Sequence, residues 1–157
     1  MSEQNLMQNN IEESEDYSQV IEIEFSYVEK SIGPFGAQNL GKEISKYFNL
    51  KSLIIFLDWN QIGPEGAKYL LTELQNCESL ISLKLYLSLN QLGDEGVINV
   101  GNGVSMLNRL NQLTLYLSRN NVTAKASIYL VQQLIKCSKL RYLKLSLSQH
   151  LFGYIQK

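Results

Sequence analysis

Apolar residues along this chain recur with two periods inside a unit that repeats every 30 residues. Leu53, Ile55 and Leu57 alternate with Ile54, Phe56 and Asp58, the period-2 pattern of a strand, although only Asp58 makes the second face polar in this copy. After Gly63, the apolar residues Ala67, Leu70, Leu71 and Leu74 follow spacings of three and four, which marks one buried helical face. Pro64 suits the first turn of that helix, where its missing N–H has no intrahelical partner to lose. Gly63 with Gly66, and Gly93 with Gly96, let the chain turn tightly and approach its neighbour. The unit reads as strand, turn, helix and return.

The same phases recur along the chain. Leu53, Leu83, Leu113 and Leu143 keep the step, as do Leu50, Leu80, Leu110 and Leu140, and Leu57, Leu87, Leu117 and Leu147. Asn60, Asn90 and Asn120 keep it too, and His150 takes the next place. Upstream, Ile23, Phe25 and Tyr27 precede Leu53, Ile55 and Leu57, so five copies run from residue 20 to the end without insertion or deletion. One such unit cannot bury its own apolar edge; stacking buries it, and about three or more copies are needed for stability. Parallel strands about 4.8 Å apart line one wall with helices behind. Because helices are wider than strands, the stack curves with the helices outside.

LIIFLDWNQIGPEGAKYL (53–70) and LKLYLSLNQLGDEGVINV (83–100) resemble the leucine-rich repeat, specifically the ribonuclease-inhibitor-like subtype with a helix on the convex side. The resemblance covers residues 20–150 and implies an α/β, right-handed solenoid arc with parallel strands on the concave wall. Here Leu83, Leu85, Leu87 and Asn90 carry one more alternation than the family pattern of Leu-x-Leu-x-x-Asn, which implies a strand one pleat longer. The resemblance also implies an internal ladder of Asn60, Asn90 and Asn120, whose amides offer the donors and acceptors a buried turn needs.

The outward strand positions then form columns across the copies: Glu24, Ile54, Lys84, Thr114 and Lys144; Ser26, Phe56, Tyr86, Tyr116 and Ser146; Val28, Asp58, Ser88, Ser118 and Ser148. Trp59, Leu89 and Arg119 stand at the strand exit. The aligned rings are of the type favoured at binding hot spots, and aromatic side chains also stabilise a sheet by themselves. The expected contacts with a protein partner are Ile54, Phe56, Asp58, Trp59, Lys84, Tyr86, Leu89, Thr114, Tyr116, Arg119 and Lys144. The expected function is a non-enzymatic protein–protein interaction module. The resemblance brings in two alternatives: a regulator of a small GTPase, or the repeat segment of a larger signalling protein such as a kinase.

Net charge is −1, which gives no reason to expect nucleic acid or anionic lipid as a partner. Glu3, Glu12, Glu13, Glu15 and Asp16 make residues 1–18 an acidic tail, disordered or loosely ordered, ahead of a single repeat domain over 19–157. The fifth copy stops before its helix. Leu151, Phe152, Tyr154 and Ile155 fold back as a cap, or the array continues, or this end pairs with another molecule in an oligomer. Cys77 and Cys137 share a phase two copies apart, too far for a disulfide, and read as buried thiols in a reducing cytoplasm, or nucleus.

Nothing in the sequence assembles a catalytic or cofactor site. His150 is the single His and has no Cys or paired acids nearby. GNGVSM (101–106) lacks the third Gly and the Lys-Ser/Thr of a phosphate loop; Gly101 and Gly103 instead predict a frayed or irregular third helix. Glu65, Glu95 and Asp94 fit helix N-termini through the helix dipole. No cofactor or metal is expected.

Overall fold

The 30-residue phase sets both the elements and their pairing. A computed structural model describes residues 17–147, and residues 152–156 as backbone. Strands β1 (Glu22–Ser26), β2 (Ser52–Phe56), β3 (Ser82–Tyr86), β4 (Gln112–Tyr116) and β5 (Tyr142–Ser146) alternate with helices α1 (Gly33–Ile44), α2 (Gly63–Leu74), α3 (Gly93–Ser105) and α4 (Ala124–Lys136). The chain closes on β6 (Phe152–Gln156). Strands β1 to β5 run parallel in sequence order, with Leu53 beside Leu83, Leu83 beside Leu113, and Leu113 beside Leu143. Each helix packs on the helices next to it in sequence, and each strand on its neighbouring strands. This is an open α/β solenoid arc, strands on the concave wall and helices on the convex side.

The core lies between the two layers. Leu53, Ile55 and Leu57 and their equivalents point inward from the strands to meet Ala67, Leu70, Leu71 and Leu74 and their equivalents from the helices; those of the second and third copies are buried, whereas Ile23, Phe25 and Tyr27 at one end and Val131 and Leu147 at the other are half-buried. Ladder bonds continue beyond the strand ends: the N–H of Leu57 donates to the C=O of Tyr86, and that of Trp59 to the C=O of Ser88. The wall is therefore taller than five residues, as the extra alternation implies. Pro64 occupies the first turn of α2, and Gly63 enters it with φ of +63°.

Helix α3 corrects one expectation. It is continuous over 13 residues, and Gly101 and Gly103 are buried within it. A Cβ on Gly103 would collide with the Cβ of Leu71 on α2, and one on Gly101 would lie 3.2 Å from Leu130 on α4. These glycines bring adjacent helices together; they do not fray the helix.

The ends differ. Residues 1–16 of the expected tail, and His150, lie outside the described residues. Tyr17–Gln19 form a single 3₁₀ turn in which the Tyr17 ring meets Tyr47 edge-on at 4.8 Å, and the Asn49 amide donates to the Ser18 C=O at 2.9 Å. At the other end the chain folds back: β6 pairs antiparallel with β5, Tyr142 opposite Gln156 and Ser146 opposite Phe152. The sheet is thus not wholly parallel, and the edge of β5 is covered.

Candidate functional site

The wall is built from the strands and from the turns that end them. Strands β2, β3 and β4 exit through two left-handed residues around the Asn phase: Trp59 (φ 62°) and Gln61 (54°), Leu89 and Gln91 (both 58°), Arg119 (57°) and Asn121 (55°). Ordinary L-residues adopt this region at a cost, so something must hold the turn. Asn90 does so while fully buried. Its amide donates to the C=O of Leu57 (2.8 Å) and of Ser88 (3.1 Å), and its Oδ1 accepts from the N–H of Asn60 (3.0 Å) and Ile62 (3.3 Å). Asn60 treats the preceding turn alike, accepting from the N–H of Lys30 and Ile32; Asn120 accepts from the N–H of Asn90 and Leu92. The Asn phase is structural, and it sets Trp59, Leu89 and Arg119 along the rim.

Below the rim the rings line up. Phe56 stacks on Tyr86 with centroids 4.4 Å apart, and Tyr86 on Tyr116 at 4.7 Å with 9° between planes. All three are half-buried, leaving edges toward solvent. Lys144 Nζ sits 5.1 Å from the Tyr116 centroid, a cation–π contact that ends the row. Burial pushes the Tyr86 hydroxyl above its ordinary 10.0. Tyr116, Asp58 and Glu24 add to that direction, while Lys144 opposes it.

Other members of the predicted set have different roles. Asp58 is half-buried, and its Oδ1 accepts the backbone N–H of Ser88 at 2.7 Å. Loss of water raises its carboxyl above 3.8, against the lowering effect of the Ser88 bonds. Thr114 is only 7% exposed, so it leaves the accessible wall: it is a short side chain between its longer register neighbours Lys84 and Lys144. Ile54 and Leu89 are half-buried, Lys84 and Arg119 exposed, and Trp59 51% exposed. The wall grades from Glu24 and Asp58 on the first two copies to Lys84, Arg119 and Lys144 on the later three.

Two links escaped the sequence reading. Asp94, at the start of α3, accepts both the backbone N–H and the hydroxyl of Thr123 at 2.7 Å; these bonds hold its carboxyl below 3.8. Thr123 in turn caps α4, its hydroxyl oxygen accepting from the Ala126 N–H at 3.4 Å. An acid and a hydroxyl 29 residues apart, almost one repeat, were the available signal. Cys77 is buried, its thiol pushed up to about 11, whereas Cys137 is only half-buried, because no fifth helix covers α4 among the described residues.

Among the described residues no group of three or more His, Cys, Asp or Glu is placed to hold a metal ion, and no helix is long and apolar enough to cross a membrane. The model of the family described as Leucine Rich repeat matches residues 48–71 and 80–101, two consecutive copies, which supports a leucine-rich repeat protein. A comparison with curated proteins found no match.

Proposed function

We propose that this chain is a non-enzymatic interaction module that presents its concave strand wall to a protein partner. The row of stacked, half-exposed rings carries the reading. Ring pairs add sheet stability of about 0.5–1.5 kcal/mol each, but large rings in line on an open face are also the side chains that dominate binding energy. Trp59 supports it further. A bulky indole, 51% exposed on the rim, is a side chain of the type favoured at binding hot spots. Rings already stacked lose little freedom when a partner docks. The outer helix of each of the first four copies supports the ribonuclease-inhibitor-like subtype, and the free thiols fit a reducing cytoplasm or nucleus.

Affinity capture with the intact chain, set against a variant carrying Trp59→Asn and Tyr86→Ser, tests the reading. The expected result is a partner retained by the parent and lost by a variant that still gives the parent circular dichroism spectrum. Capture indifferent to both substitutions overturns it.

A further inference from the structure

The ring row has two ends, and they differ. At the β5 end, Lys144 closes the outer face of Tyr116 with a cation. At the other end, Phe56 stacks with Tyr86 on one face, while its opposite face looks across the sheet toward β1. Its register partner there is Ser26, which is exposed and too short to cover a ring. Carboxylates contribute charge here: Glu24, exposed two residues from Ser26 on the same face of β1, and, from the β3 side where it accepts the Ser88 N–H, Asp58, two residues beyond Phe56. Both act on the neighbouring ring of Tyr86, where they disfavour the phenolate. An aromatic face with carboxylates beside it attracts a cation through the ring quadrupole and ordinary charge attraction together. Trp59 adds an exposed aromatic side chain on the same copy.

The opposite charge begins one copy further on. Lys84 and Arg119 are exposed on the third and fourth copies. From the place above Ser26, Lys84 lies two strand steps across and two residues along the strand, about 12 Å at ~4.8 Å per step and ~3.3 Å per residue, and Arg119 stands higher on the wall at the strand exit. An extended peptide covers that span in about three or four residues at ~3.3 Å each.

We propose that the partner meets this wall as an extended peptide segment laid across the strands, with an Arg or Lys over the open face of Phe56 beside Glu24 and within the field of Asp58. An Asp or Glu about three or four residues away then reaches Lys84. This rests on the interaction-module reading and adds to it the chemistry and polarity of the occupant. The rings fix position, and the graded charge fixes which way round the segment lies.

A displayed library of random twelve-residue peptides, selected on the immobilised intact chain, tests the proposal. The expected outcome is enrichment of a basic residue three or four places from an acidic one, in binders that weaken as salt is raised. Calorimetry with a selected peptide then separates the parts. The E24Q, D58N variant keeps an oxygen at position 58 for the Ser88 N–H, and its melting temperature verifies the fold; it should bind roughly tenfold more weakly. Phe56→Ser should abolish binding. If Phe56→Ser weakens binding and the E24Q, D58N variant does not, the charge assignment falls while the wall reading stands. If neither variant matters, the peptide binds elsewhere and both fall. Selection that yields no enriched sequence, or sequences without the charge pair, overturns the extended, polar occupant.

Discussion

Asn90 satisfies two N–H groups and two C=O groups of turns whose backbone stands in the left-handed region. Asn90→Ala strips acceptors from the buried N–H groups of Asn60 and Ile62, and each unsatisfied buried group costs about 1–3 kcal/mol. Urea unfolding should register a loss of about 2–4 kcal/mol; a loss under about 1 kcal/mol means the turn is held by other bonds. Titration gives a second outcome. Burial raises the Cys77 thiol from 9.0 to about 11, and raises Tyr27, Tyr47 and Tyr86 above 10.0. The unfolded chain therefore releases these protons at lower pH than the folded chain, so their stabilisation is complete below 9 and drains away as pH rises toward 11. Urea midpoints across that window should fall, and Cys77→Ala should flatten the fall. The Asn column was legible because a repeated residue in a fixed phase announces a repeated task. The Asp58 bond to Ser88 was not, since one carboxylate in one copy leaves no pattern to recognise.

Between residue and molecule, the helices show where reading one segment at a time goes astray. Glycine inside a helix costs about 1 kcal/mol relative to alanine, so Gly101 and Gly103 point toward a weak helix when α3 is considered alone. Packing reverses the sign. Gly103 lies where α2 comes closest, and an added methyl collides with Leu71, whereas Gly101 faces the end of a flexible Leu130 side chain at 3.2 Å. Overpacking costs about 1–3 kcal/mol, so Gly103→Ala should destabilise by about 1–2 kcal/mol net, and Gly101→Ala should lie near zero. Thermal melts of the two variants give the comparison; equal melting temperatures would mean that α2 and α3 separate at little cost. The strands were easier to anticipate than the helices because alternation and register follow from the same 30-residue phase, whereas helix spacing depends on which side chains happen to oppose one another. That is also why the ring column could be placed in line from the sequence but its closure by Lys144 could not.

Across the whole arc, each copy touches only its neighbours, so stability accumulates by interfaces and the ends are the weak places. Strand β6 covers one of them by turning back on β5. Removing residues 148–157 should expose the β5 edge as a template for another chain, and sedimentation velocity should then detect concentration-dependent association. A shortened chain that sediments like the parent would show that β5 is protected by its own side chains. The arc itself was legible from five in-phase copies, whereas the antiparallel return was one of several outcomes because the fifth copy breaks the pattern there. The Asn column has a last consequence, which concerns time. Each amide N–H group bonds in part within its own turn, but the oxygen of Asn60 serves the turn of the copy before it, that of Asn90 the turn of Asn60, and that of Asn120 the turn of Asn90, so this share of the support passes backward along the chain. During synthesis a newly emerged copy therefore waits for its successor before its turn is fully bonded. At about 5–20 residues per second, folding trails the ribosome by one repeat, or a few seconds.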